Sequence, residues 1–219
     1  MKLIACRVMS DEVCRFLPDG VEVEVFEISQ HTNPKLLKSA LQTAIDNADS
    51  KHDVILLGYG LCSNAVVGLK TQHARLVIPK IHDCIGIFLG SHRAYLEEMA
   101  IEPTFFLTQG YINGYRRDQS GPLSEFARVE RRFGTEKAEK IVGTMMRAYK
   151  RLVYIRTPGS LEIASDRSYA REMADKFGMC YQELDSTSEL LERMVKHDWK
   201  DDIIVVEPGQ EITLEHFIN

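Results

Sequence analysis

The sequence predicts an α/β fold, a mainly parallel sheet flanked by helices in a Rossmann-like arrangement. Three observations carry that expectation. Short runs such as VILLGYG, RLVIPKI, RLVYIRT and DIIVVEPG are apolar on both faces, as strands of a covered parallel sheet should be. Segments with helical spacing of apolar residues separate them. Strand and helix alternate along most of the chain, which implies crossover connections. The 219 residues suit a single domain over 1–219, or two lobes with a boundary in the glycine-bearing loop 110–122.

The elements follow in order. Lys2 to Met9 forms a buried first strand, and Ser10 is placed to cap a short helix. Pro18, Asp19 and Gly20 form a turn. VEVEVFEIS alternates valine with glutamate, the mark of a strand with one wet face near a sheet edge. Asn33 and Pro34 open a helix with an N-cap and a proline at its first position, and Leu37, Leu41, Ala44 and Ile45 give it an apolar stripe. The two strands of Asp53 to Gly90 come next, and IGIFLGSHRAYLEEMA reads as a helix leading away from them.

FFLTQGYINGY begins as a strand and then reads as a loop, with Gly110 and Gly114 as breakers. Two helices broken near Gly134 follow, then a strand ending in a Pro158–Gly159 turn. A helix stopped by Gly178, the strand CYQELDS, a helix starting at Thr187 or Ser188, and a buried strand complete the pattern.

Composition excludes some classes of function. A hydrophobic share of 44% with 27% charged residues is that of an ordinary globular protein, and a net charge of -5 argues against general nucleic-acid binding. No apolar run approaches the roughly 20 residues that span a bilayer, so no membrane partner is expected. The beginning, MKLIACRVMSDEV, turns polar too soon for a signal peptide. Five cysteines at irregular spacing fit a reducing compartment, and the expectation is a cytoplasmic protein.

The candidate chemistry sits at strand exits. Ligands of open α/β sheets bind beyond the carboxyl ends of the strands. Cys6, Cys62, His82 and Cys84 all fall there on this assignment. His82 and Cys84 are two apart and share a side while the backbone stays extended. With Cys62, and Cys6 as a possible fourth ligand, they form a candidate site for zinc or iron whose open position would take water or substrate. Each cysteine alone reads as core packing, because free cysteine behaves as a small hydrophobe. Their joint placement is what argues for a metal or a reactive thiol, the latter with His82 as base to Cys62 or Cys84.

Other residues offer weaker signals. Gly58 and Gly60 permit close backbone approach, and Ser63 and Asn64 can donate to a ligand, so the GYGLCSN loop is a candidate cofactor-binding segment. It matches neither a Walker loop nor GxGxxG. Tyr111, Tyr115, Arg116 and Arg117 cluster in the 110–122 stretch, where paired arginines clamp a carboxylate or phosphate or lie solvated. Glu207 ends the last strand, either as an acid or base at the same sheet edge as the cysteines or as a turn residue before Pro208 and Gly209. His31 reads as a solvated loop histidine.

At IAC, LLGYGLCSNAVVGL and LVIPKIHDCIGIFLGS followed by Tyr95, and later at AYKRLVYIRT and IIVVEPG, the sequence resembles the domain of unknown function 1638 family. The resemblance implies a setting near corrinoid-dependent methyl transfer. Zinc enzymes that alkylate thiols look similar in pairing His-x-Cys with a further cysteine, although here Cys62 precedes the pair. The expectation is a metal-dependent enzyme activating a thiol, water or a one-carbon group. The alternatives are an accessory protein serving a corrinoid or methyltransferase partner, or a structural metal site. In each reading the sequence leaves the small-molecule ligand unidentified.

Overall fold

The computed structural model describes residues 1–157 and 164–218. In chain order the elements are β1 (Lys2–Cys6), α1 (Arg7–Cys14), β2 (Glu22–Phe26), a 3-10 turn (Ile28–Thr32), α2 (Pro34–Asp49), β3 (Val54–Gly58), β4 (Arg75–Pro79), α3 (Ile85–Phe88), α4 (His92–Ile101), β5 (Thr104–Thr108), α5 (Gln109–Asp118) and α6 (Gly121–Phe133). Then come α7 (Thr135–Ala138), a π-helical turn (Glu139–Gly143), α8 (Thr144–Met146), β6 (Arg151–Arg156), α9 (Ala164–Phe177), β7 (Cys180–Asp185), α10 (Glu189–Val195), β8 (Ile203–Val206) and α11 (Glu215–Ile218). Among the described residues no helix is long and apolar enough to cross a membrane. The turn expected at Pro158–Gly159 and the start expected for the next helix lie outside the described residues.

The chain divides into two compact units, Met1–Tyr95 with Thr187–Asn219, and Leu96–Ser186. The first holds a sheet in the order β2-β1-β3-β4-β8. Its first four strands run parallel, and β8 is antiparallel to β4. Every residue of β1 and β3 is buried, which explains why their sequences are apolar throughout. β2 lies at the sheet edge, and its glutamates hold buried Lys2 through Glu22 at 2.9 Å and Glu24 at 2.7 Å. The α2 start follows the expected chemistry: the Asn33 side chain accepts the Leu36 N–H at 3.2 Å, and Pro34 occupies the first turn.

The second unit carries a parallel sheet, β5-β6-β7. Leu107, Leu152, Tyr154, Met173 and Phe177 belong to its core. Both units are thus α/β, with one mixed and one wholly parallel sheet.

Two local expectations need correction. Ser10 does not cap α1; the helix starts at Arg7, directly after β1, and the Ser10 hydroxyl donates to the Arg7 carbonyl from within it. Residues 109–118 are helical instead of a loop. The Thr108 side chain accepts the Tyr111 N–H at 3.3 Å and caps α5, while Gly110 and Gly114 are buried within it. Glycine costs about 1 kcal/mol in a helix interior, and tertiary packing overrides that penalty. The break comes later, at Gln119 and Gly121, both left-handed. A Cβ on Gly121 would stand 2.6 Å from the Tyr115 ring, so glycine is needed there twice over.

Candidate functional site at the β1–β3 exit

From β1 the chain crosses to β2 on one side, then returns to β3 and β4 on the other. The direction of winding reverses between β1 and β3, and an open sheet leaves its ligand crevice outside the carboxyl ends of such a pair. Ala5 registers with Gly58. Cys6 and Tyr59 therefore come next at that edge. Gly58 and Gly60 serve the internal packing, because a Cβ on Gly58 would meet the Ala5 Cβ at 2.7 Å, and one on Gly60 the Ile81 carbonyl at 3.0 Å. These glycines admit neighbouring protein, and the close approach they allow is already used.

Beyond Gly60 the backbone enters an unusual conformation. Cys62, Ser63 and Asn64 have φ values of 46°, 55° and 66°, three successive left-handed residues with side chains. Each such residue costs roughly 1–2 kcal/mol, so a run of three needs external restraint. The restraint comes from the segment after β4. Leu61 N–H donates to the Ile81 carbonyl at 2.9 Å and Cys62 N–H to the His82 carbonyl at 3.4 Å, and the turn closes on itself through Ala65 N–H to the Cys62 carbonyl at 3.1 Å. Among the described residues nothing accepts from the N–H of Ser63 or Asn64, and both residues are exposed.

A buried polar group lies beside this turn. Tyr59 is fully buried, and its hydroxyl has no hydrogen-bond partner among the described residues. The His31 ring stands 5.9 Å away, nearly perpendicular at 81°. Its Nδ1 is 4.0 Å from the Cys6 sulfur, while its buried Nε2 has no partner among the described residues. Burial lowers the His31 pKa, with Asp83 opposing, so the imidazole is held neutral. Burial pushes the Cys6 thiol up to about 12, and burial with help from Cys6 does the same to Cys62. Both sulfurs are therefore protonated at neutral pH. Tyr59 is raised well above the usual phenol range by burial, then by Cys6 and Cys62.

The predicted metal set does not assemble. Among the described residues no group of three or more His, Cys, Asp or Glu side chains is placed to hold a metal ion. The reading of Cys6, Cys62, His82 and Cys84 as a zinc or iron site is overturned, and with it the metal-dependent enzyme and the methyl-transfer role built upon it. The physical reason lies at Asp83. Its carboxylate accepts the Ile85 N–H at 2.8 Å, an Asx turn that leads the chain into α3. Cys84 already has helical φ and ψ, so the extended spacing that would align it with His82 is lost. His82 instead lies exposed, with Nε2 3.3 Å from the Phe217 carbonyl and its ring 3.9 Å from His92. Cys84 is buried and its thiol donates to Asp83 at 3.7 Å. A thiolate at Cys62 with His82 as base is unsupported by this geometry.

Other expectations resolve more simply. Glu207 belongs to the opposite edge, because β8 is antiparallel: Val206 registers with Leu76, and Glu207 pairs loosely with Arg75 at the start of β4, at 3.9 Å. In the second unit Arg116 clamps a carboxylate of its own chain, the fully buried Asp166, which also receives Gln109 at 3.2 Å. Cys14 and Cys180 are exposed. Sequence reasoning passed over Tyr59 and read His31 as a solvated loop histidine, whereas its ring packs against Tyr59 with Nε2 buried. Their signal was positional: Tyr59 directly follows a fully apolar strand, and His31 lies in the β2–α2 connection.

No curated protein and no solved structure matches this chain. A family model described as "Protein of unknown function (DUF1638)" matches residues 25–195, well over half of the sequence, and the chain belongs to that family.

Proposed function

We propose that the protein binds a small polar molecule in the crevice at the β1–β3 exit. The ligand would present a hydrogen-bond acceptor to the free N–H groups of Ser63 and Asn64, and a polar group to Tyr59 Oη and His31 Nε2. One observation carries the reading: two buried polar atoms without partners among the described residues, Tyr59 Oη and His31 Nε2, belong to neighbouring rings, and Tyr59 directly follows β3 at the topological switch of the sheet. Unpaired buried polar groups cost about 1–3 kcal/mol each, and a ligand that pairs them recovers that cost on binding. The strand order also supports a Rossmann-like plan for the first unit, in which this crevice is the usual ligand position.

Neutral His31, protonated Cys6 and Cys62 and the nearby Asp83 carboxylate favour an uncharged acceptor over an anion. The test is thermal denaturation of the wild type and Tyr59→Phe with millimolar acetamide and glycolamide beside acetate and glycolate. The amides should raise the wild-type Tm more than the acids do, and Tyr59→Phe should remove the gain. No Tm change in the wild type with any of the four, or equal gains in both proteins, contradicts the proposal.

A further inference from the structure

A second concave site lies on the first unit, independent of the β1–β3 crevice. A groove of about 510 Å³ runs between α2 and the segment 68–72. That volume is within the range of small-molecule sites, roughly 300–1,000 Å³. Three lysines line it: Lys35 and Lys38 from the first two turns of α2, and Lys70 from the facing wall. None of the three ammonium groups is paired with a carboxylate among the described residues. Elsewhere Lys2, Lys196 and Lys200 each hold one within 3.0 Å.

The walls are fixed. The Gln42 amide grips the Lys70 backbone at two points, donating to its carbonyl at 2.9 Å and accepting its N–H at 3.2 Å. Lys70 also bridges to Glu211 through the backbone. On the same wall as Lys70, Gly68 has φ of +81°, and a Cβ there would be 2.7 Å from the Lys38 Nζ. The ammonium thus rests over the Gly68 backbone, in space that any larger residue would occupy.

Two carboxylates line the same groove, and both are engaged. Asp49 accepts three backbone N–H groups, those of Gln72, His73 and Ala74, at 2.7–3.0 Å. Asp46 accepts from Gln42 at 2.8 Å. Three uncommitted ammonium groups therefore face a groove whose acids already have donors. Ser39 also lines the groove, and its hydroxyl is a further donor type beside the ammonium groups. Ammonium groups with a hydroxyl suit phosphate, which lysine binds as a point charge.

We infer that this groove binds a phosphate-bearing small molecule through Lys35, Lys38 and Lys70. The test is isothermal titration calorimetry of the full chain with inorganic pyrophosphate as the probe, at low and at physiological ionic strength. Lys38→Gln/Lys70→Gln is compared with Lys137→Gln/Lys140→Gln, an exposed pair that does not line the groove and changes net charge equally. Wild type should bind, the groove pair should weaken binding by about tenfold or more, and the control pair should stay within about twofold, since direct charge-assisted contacts outweigh diffuse attraction. Absence of binding in the wild type, or equal weakening in both pairs, overturns the inference. Circular dichroism of the groove variant separates lost contacts from lost fold: should that pair unfold, Ser39→Ala takes its place, and unchanged binding in Ser39→Ala would count against the site.

Discussion

The rings of His31 and Tyr59 meet almost at a right angle with centroids 5.9 Å apart, and each carries a buried polar atom that pairs with nothing among the described residues. Perpendicular aromatic pairs contribute about 0.5–1.5 kcal/mol beyond burial, enough to hold both rings in register. His31 comes from the β2–α2 connection and Tyr59 from the exit of β3, so the contact fastens one crossover to the sheet edge. The pair is buried and unsatisfied among the described residues, a combination that makes sense where something else completes it.

Replacing Tyr59 by phenylalanine keeps the ring and removes the unpaired hydroxyl. The unliganded variant should be more stable than wild type by about 1–3 kcal/mol, read from urea unfolding with an unchanged slope. A loss of stability would mean that the hydroxyl contributes a hydrogen bond in the folded protein.

Ser63→Gly addresses the left-handed run. Glycine adopts the observed φ of 55° without steric cost, so the variant should gain about 1 kcal/mol in the same assay. Ser63→Val, β-branched, should lose at least as much. If both variants match wild type, the turn is not strained.

Asp83 separates the capping account from the metal account. Asp83→Ala should cost about 1 kcal/mol through loss of the Asx turn at Ile85, as loss of comparable side-chain caps does. Exhaustive dialysis against a chelator should leave the wild-type Tm unchanged. A Tm that falls on chelation and recovers with zinc would reinstate a metal site.

The pH dependence has a definite sign. The pKa values of His31 and His92 are both lowered by burial, His92 further by the adjacent His82, from an ordinary value of 6.5. The folded protein keeps these rings neutral while the unfolded chain takes up protons, so their contribution is present above pH 6.5 and is lost as pH falls through the lower folded values. The urea midpoint should drop between about pH 7.5 and about pH 5.5, before the carboxylates titrate, and His31→Asn should flatten part of that slope. A midpoint that is constant or rises toward acid over this range contradicts the burial assigned to these rings.

The fold was largely legible because burial leaves a direct mark on composition. β1, β3, β4 and β8 are apolar since both faces are covered, β2 alternates since it is an edge, and Asn33–Pro34 spells a helix start. Local rules failed where a non-local partner decided the outcome. Gly110 and Gly114 read as breakers but are buried within a capped helix. Glu207 looked like a neighbour of the cysteines until the antiparallel pairing of β8 carried it to the far edge. The candidate site divided in the same way. Its position at strand exits followed from the apolar runs, and Cys6 and Cys62 do lie near it. The His82–Cys84 spacing carried meaning only for extended backbone, and one carboxylate, that of Asp83, turned that backbone into a helix. Tyr59 and His31 had no motif to announce them.

The central claim concerns a ligand touching His31. Protein carrying ¹⁵N-histidine, titrated with acetamide or glycolamide, reports it through the His31 Nε2 resonance, assigned by its absence in His31→Asn. A saturable shift of that resonance, lost in Tyr59→Phe, is the predicted result. A His31 resonance that stays fixed while the amide still raises Tm would place the binding elsewhere and contradict the account.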